Sequence, residues 1–195
     1  MDKPVFKNKP NEHIIIRHEF KNTINTIDYW ISRAVAVVGI VFVIPLVGGI
    51  QTLITRRTME MPDEAGKFGL PCGYLDFDET GYDAMVREVY EETSLYLPKY
   101  KKYLVLNNNE QPFTVHDKPS RDSRQNVSLI YLSVYDFHEA MDQFPLDILK
   151  YTDKETSEVK WMLLTDFYCK FDREYEWAFK HNETIKEALI FFNNK

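Results

Sequence analysis

Three glutamates near the middle of the chain, Glu88, Glu91 and Glu92, stand three and four residues apart, the spacing at which side chains on a helix become neighbours. Left bare, such carboxylates repel one another by roughly 0.2–0.5 kcal/mol per pair, so a cation belongs among them. A hard divalent ion such as Mg²⁺, held by a few carboxylates and by substrate phosphates, is the chemical match. Taken without their surroundings, the same residues also fit the solvated face of a surface helix.

The element that positions them runs from Thr80 to Thr93. Thr80 with Asp83 three residues on is a capping-box start, and Tyr82, Val86, Val89 and Thr93 fall on one side of the helical wheel, opposite the glutamates. Ala34–Val43 and Ile50–Arg56 read as two buried strands joined by a turn at Pro45 and Gly48-Gly49. The uncharged stretch from Ala34 to Thr55 is also long enough to cross a bilayer of ~30 Å, which makes a membrane helix the competing reading. Its Val and Ile content and its internal proline and glycines favour strands and no membrane partner. Lys101–Leu106, Val127–Tyr135 and Val159–Leu164 carry strand-type enrichment, His13–Ile16 a short strand, and Asp172–Phe192 an amphipathic helix. Strands with interspersed helices and no regular alternation predict a mixed α/β sandwich.

A chain of 195 residues with 44% hydrophobic and 28% charged side chains is the size and composition of one globular domain. Its net charge of -6, without a basic run, argues against duplex nucleic acid as a partner. Two cysteines, Cys72 and Cys169, are too few for a disulfide framework and point to a reducing, cytoplasmic setting. The polar start, Met1–Lys9, shows no secretory signal.

Reading outward from the glutamates, Gly73 is followed after five residues by Glu79, after seven more by Arg87-Glu88-Val89, then by Glu91-Glu92 and Leu95. This resembles the Nudix box, G-x5-E-x7-R-E-U-x-E-E-x-G-U, with Ser94 in place of the late glycine. The likeness continues in the lead-in Gly69-Leu70-Pro71-Cys72-Gly73, in an opening strand from Asp28 to Val43, and in Glu158–Met162 near the end. The chain is therefore identified as a member of the Nudix hydrolases. The resemblance implies an α/β/α sandwich with a mixed sheet over residues 28–195, preceded by an N-terminal extension, 1–27.

It further implies a metal-dependent pyrophosphohydrolase. In the family, the residues matching Glu88, Glu91 and Glu92, with the carbonyl of Gly73, bind Mg²⁺ or Mn²⁺; Glu91 and Glu92 are the expected principal ligands. Glu88 either completes the cluster or takes the water's proton. Glu79 and Arg87 match a structural ion pair, and Glu155, ahead of the alternative Glu158, matches a loop carboxylate that assists catalysis. Ser94 is expected to bear backbone strain that glycine avoids, at a cost to stability. Cys72 is expected to fill space in preference to acting as a redox-sensitive thiol.

Substrate choice lies outside the box. Pro119–Arg124 and Ala178–His181 resemble segments of ADP-ribose pyrophosphatases and related ADP-ribose-binding regulators, which assigns Arg121 and Arg124 to phosphate binding. The expected reaction is hydrolysis of a nucleoside diphosphate linked to another moiety, ADP-ribose to AMP and ribose 5-phosphate. Nucleoside triphosphates, dinucleoside polyphosphates and RNA caps are the alternative substrates, and a non-catalytic ADP-ribose-binding module the alternative class. Relatives of this subgroup are often dimers, so the resemblance also raises a homodimer.

Overall fold

Ten strands and two long helices can be followed through the computed structural model, which describes residues 12–20, 23–31, 33–106, 110–118, 125–138, 154–167, 169 and 172–194. In chain order the strands are β1 (Glu12–Phe20), β2 (Thr23–Ile31), β3 (Val35–Ile44), β4 (Gln51–Arg57), β5 (Phe68–Gly69), β6 (Cys72–Tyr74), β7 (Leu104–Leu106), β8 (Thr114–His116), β9 (Val127–Asp136) and β10 (Thr156–Leu163). The helices are α1 (Gly81–Thr93) and α2 (His181–Asn193).

The main sheet follows the order β10-β4-β3-β9-β7, with β5 beside β4, β6 beside β3 and β8 beside β9. Its centre is the parallel pair β3 and β9, in register from Val35↔Val127 to Ile44↔Asp136. A parallel pair needs cover on both faces, and the continuous Val and Ile run of β3 supplies apolar residues to both. Val38, Ile40 and Phe42 join one core with Ile185, Ala188 and Leu189 of α2. Val37, Val41 and Val43 join the other with Ala84, Met85 and Val89 of α1. The result is the expected α/β/α sandwich with a mixed sheet. At Gly39, a Cβ would meet Val89 and Met85, so the missing side chain is what lets α1 settle onto the sheet.

The uncharged run from Ala34 to Thr55 is thus β3, a turn and most of β4, and among the described residues no helix is long and apolar enough to cross a membrane. Gly48, at φ 104, takes the left-handed step of that turn. The strand expected from Asp28 to Val43 divides in two: Asp28–Ile31 belong to β2, which pairs with β1 from Glu12↔Ile31 to Phe20↔Thr23 in a separate two-stranded sheet. The short strand expected at His13–Ile16 is part of β1.

Two further boundaries differ from expectation. Lys101–Tyr103 finish a 3₁₀ helix, Leu97–Tyr103, entered through Pro98, so only Leu104–Leu106 remain strand. The helix expected from Asp172 makes a single turn, Asp172–Glu174, breaks, and runs on only from His181, because Trp177 bridges to Phe68 and both Phe179 (φ 51) and Lys180 (φ 60) are left-handed.

The start and end of α1 follow from local chemistry. Thr80 accepts from the Asp83 amide while the Asp83 side chain accepts from the Thr80 amide, a complete capping box. The helix stops at Ser94, which is left-handed at φ 61, ψ 12 and donates its amide to Tyr90 O. A non-glycine residue there costs ~1–2 kcal/mol. Ser94→Gly is accordingly expected to raise the stability by about 1 kcal/mol and leave turnover unchanged, as read by denaturant unfolding and a kinetic assay.

Candidate active site

The lead-in to the box is pinned before the helix begins. Pro71 O accepts from the Gly39 amide at 2.9 Å, and β6 pairs with β3 through Val38↔Cys72, Val37↔Gly73 and Ala36↔Tyr74. Gly73 therefore lies on the sheet edge facing α1. A Cβ at Gly73 would collide with the Glu88 carboxylate, so glycine is what admits that side chain.

The three glutamates have three different environments, and this corrects the wheel drawn from sequence. At 100° per residue Glu92 lies ~20° from Met85, in the middle of the core-facing arc and not opposite it. It is 7% exposed. Its Oε1 accepts the Cys72 amide at 2.9 Å, and its Oε2 accepts the hydroxyls of Thr55 at 3.0 Å and Thr156 at 3.3 Å. A buried carboxylate is tolerated when its lone pairs are met by donors in this way. Glu88 sits at the margin, largely buried against Gly73. Glu91 faces outward, with its side chain 50% exposed.

Arg87 is the cationic hub beside them. Its Nε and one terminal nitrogen pair with both oxygens of Glu79 at 3.1 and 2.8 Å, and the same nitrogen donates to Tyr74 O at 3.0 Å. The other terminal nitrogen reaches Glu88 at 2.6 Å and Glu91 at 3.1 Å. The structure thus brings Glu79 and Arg87 together as a bidentate pair that ties the box loop to its helix. The Arg87 hydrogen bonds hold the Glu79 carboxyl below its ordinary range.

Burial pushes the Glu88 carboxyl up; Arg87 opposes this, and the charges of Glu91 and Glu155 add to it. Glu155 is therefore within electrostatic reach of Glu88. Its main-chain carbonyl accepts the Thr58 amide at 2.7 Å, fixing the loop before β10. Glu158 points elsewhere, pairing with Lys160 at 3.2 Å and Arg56 at 3.9 Å. Cys72 is packed beside the cluster; burial, then the charge of Glu92, push its thiol up, the opposite of a reactive cysteine. Arg121 and Arg124 lie outside the described residues.

No three His, Cys, Asp or Glu side chains among the described residues are already gathered around one point. The donor set nevertheless suits a hard divalent cation: carboxylate oxygens on one edge of the sheet, one forced up in pKa by burial and by like charge, beside a glycine where a side chain would intrude. Glu88, Glu92 and the Gly73 carbonyl would hold it.

Sequence reasoning did not assign Thr55, Thr156 or His181 a place in this region. His181 is 4% exposed, and its Nδ1 accepts the Leu70 amide at 3.0 Å. Burial, with the charges of Arg57 and His116, lowers its pKa to about 3. The run Thr55-Arg56-Arg57 carried a signal in its alternation, since Thr55 and Arg57 must share one face of β4.

A family model described as the NUDIX domain matches residues 35–187, and the chain belongs to the Nudix family. Its enzyme class is that of the Nudix pyrophosphohydrolases, which work with divalent metal. Among solved structures it is similar to the NUDIX domain of Shewanella oneidensis NrtR complexed with ADP ribose: 21% identity, 83% of this chain and 89% of that one, TM-score 0.58. A bifunctional NMN adenylyltransferase/ADP ribose pyrophosphatase from Francisella tularensis, complexed with AMP and a Mn ion, matches at 24% identity and TM-score 0.56. That match spans 81% of this chain but 41% of the larger protein. A mutT/nudix family protein from Listeria innocua matches at 22% identity and TM-score 0.55, over 83% and 94% of the two chains. No curated protein matches.

Two measurements check the polar framework. Glu79→Gln is expected to lower stability by about 1.5–3 kcal/mol, since it weakens a charge-assisted bidentate pair, and to slow turnover less clearly. For His181 the folded pKa lies below the unfolded value of ~6.5, so the unfolded chain binds a proton that the folded one refuses. Its contribution is complete above about pH 6.5 and is lost as pH falls from there toward 3, by ~1.4 kcal/mol per pH unit. Unfolding at pH 7.5 and 5.5 is expected to show the wild type losing about 1.4 kcal/mol more than His181→Asn.

Proposed function

We propose that the chain hydrolyses ADP-ribose to AMP and ribose 5-phosphate, with Mg²⁺ or Mn²⁺, at the edge where Gly73, Glu88 and Glu92 meet. The observation that carries the hydrolytic part is the Glu88 carboxylate lodged over Gly73, beside the triply hydrogen-bonded Glu92. Glu88 and Glu92, the pair that turns toward Gly73, are the inner ligands in this reading, and Glu91, paired with Arg87, is the outer one. That replaces Glu91 and Glu92 as the principal pair.

A bound divalent ion would neutralise the diphosphate oxygens and lower the pKa of an attacking water. The chain's own residues do the rest. Thr55, Thr156 and the Cys72 amide hold Glu92 in one orientation, so little reorganisation is left to the reaction. Glu155, on the loop anchored by Thr58, is the general base that accepts the water's proton. Arg121 and Arg124 bind the phosphates.

ADP-ribose as substrate is supported by the Pro119–Arg124 and Ala178–His181 segments. Two similar structures point the same way, one holding ADP ribose and the other, an ADP ribose pyrophosphatase, holding AMP and manganese. With a net charge of -6, duplex nucleic acid has no part in this reading.

The test is a product assay with Mg²⁺ or Mn²⁺ on ADP-ribose, NADH, dinucleoside polyphosphates, nucleoside triphosphates and capped RNA. ADP-ribose is expected to give the highest kcat/KM; a higher value for a triphosphate overturns the substrate and leaves the hydrolase standing. Glu92→Gln and Glu155→Gln are expected to lose on the order of 10²–10³ in kcat, while Glu158→Gln stays near wild type.

A further inference from the structure

The solvent side of α1 carries a groove of about 530 Å³, lined by Asp83, Val86, Arg87, Tyr90 and Tyr96. Tyr96 stands at the start of the 3₁₀ helix, and its ring meets that of Tyr90 edge to face, with centres 6.0 Å apart. Both rings are about half exposed, Tyr90 at 50% and Tyr96 at 54%. Asp83 is committed to the capping box and Arg87 to the glutamates. What remains is an apolar floor of Val86 and two tyrosines, and adjacent exposed aromatics of this kind mark a contact surface.

A side chain that fits it stands at the other end of the same helix. Phe77 and Asp78 form the turn before α1, with Asp78 left-handed at φ 63. Phe77 is 98% exposed, the most exposed large apolar side chain among the described residues, and so leaves the groove of its own chain unfilled. Asp76, just before it, lies 3.8 Å from Arg87, so the loop borders the groove. The charges at the two ends of the helix are opposite. From Gly73 to Val86 the chain has four acidic residues, Asp76, Asp78, Glu79 and Asp83, and no lysine or arginine. From Ser94 to Leu106 it has three lysines, Lys99, Lys101 and Lys102, and no acidic residue. These lysines are exposed, and at three residues per turn Lys99 and Lys102 follow Tyr96 along one edge of the 3₁₀ helix. A second α1 laid antiparallel across the first sets acid against base at both ends; laid parallel, it sets like against like.

We propose that the groove receives the Phe77 loop of a second copy of this chain and that the exchange is mutual, about a two-fold axis crossing the middle of the two α1 helices. Phe77 packs against Tyr90 and Tyr96 of the other copy, while Asp76 and Asp78 face the lysines of its 3₁₀ helix. One self-complementary patch then serves both chains, as closed two-fold pairing requires. The exchange also bears on the site. The loop carries Glu79 and Arg87 forms a wall of the groove, so each copy braces the ion pair that ties the other's loop to its helix. None of this depends on which substrate is cleaved.

The test is sedimentation velocity of the full chain over a concentration series, for the wild type, for single variants and for variants mixed. The wild type is expected to dimerise with a Kd of about 1–100 μM, the range of a small interface with one aromatic anchor per side, and to dissociate more readily in high salt. Phe77→Ala removes both anchors of the dimer and is expected to weaken association by about 100-fold or more. Tyr90→Glu places a charge in the groove and is expected to act as strongly, with a melting temperature near the wild-type value to show that it folds. Lys99→Glu, at an exposed lysine, is expected to weaken association by about 3–10-fold and stands in for the groove if Tyr90→Glu unfolds. Phe77→Ala keeps an intact groove and Tyr90→Glu an intact loop. An equal mixture of the two is therefore expected to associate more tightly than either alone, through one good exchange out of two. A chain that stays monomeric at every concentration, a dimer indifferent to Phe77→Ala, or a mixture no tighter than its components means that the groove faces solvent or a different protein, and overturns the proposal.

Discussion

A carboxylate removed from water must find donors where it arrives, and the seam between α1 and the sheet is arranged around that demand. Glu92 meets an amide from β6, a hydroxyl from β4 and a hydroxyl from β10. Three strands are thereby tied to one helical position. Removing one of these donors would leave a charge-assisted hydrogen bond unmade in a dry place, a larger effect than losing any exposed contact on the helix. The close approach that makes the ties possible comes from Gly39 beneath Val89 and Met85, and the capping box sets where the helix starts and so where its seventh and eighth residues along fall.

With Glu92 fixed inward, the helical period distributes the other glutamates. Glu88, one turn earlier, arrives over Gly73, and Glu91 is carried toward solvent. Arg87 then acts on both sides of the boundary: it holds Glu79 and the Tyr74 carbonyl on the loop, and Glu88 and Glu91 on the helix. In this arrangement Arg87 screens part of the negative charge that a divalent ion would otherwise meet alone. Burial still dominates at Glu88, which is why its carboxyl is pushed up despite a cationic neighbour at 2.6 Å.

The sequence showed the fold wherever a local rule was enough. Pro45 and Gly48 broke the long apolar run into β3 and β4, and Thr80 with Asp83 placed the start of α1 to the residue. The box spacing brought Gly73, Glu79, Arg87 and the glutamates into one neighbourhood. It failed where two local preferences competed. A wheel drawn by polarity puts Glu92 on an acid face opposite the core, because nothing along the chain announces three donors arriving from elsewhere. The apolar pattern extends the last helix back to Asp172, whereas the backbone turns left-handed at Phe179 and Lys180, which have no glycine to signal it. His181 stands out in the sequence only as part of a resemblance, its place being set by the Leu70 amide far away along the chain.

The different settings of Glu155 and Glu158 show how a single extra residue redirects a strand. In an unbroken antiparallel ladder, Val159↔Thr55 and Glu158↔Arg56 would be followed by Ser157 opposite Arg57, and Ser157 would share the face of Thr55. Instead Thr156 stands opposite Arg57, and Ser157 is the extra residue of a bulge. Its hydroxyl donates to the carbonyls of Arg56 and Arg57, at 3.1 and 3.3 Å, which fills the gap in the ladder. The bulge puts Thr156 on the face where it meets Glu92, and brings the preceding residue, Glu155, within electrostatic reach of Glu88. Glu158 remains in the regular part of β10, beside Arg56 and Lys160. One inserted residue therefore both completes the donors of the buried Glu92 and sets Glu155 within electrostatic reach of Glu88, so the strand's irregularity shapes this cluster as much as the helix does.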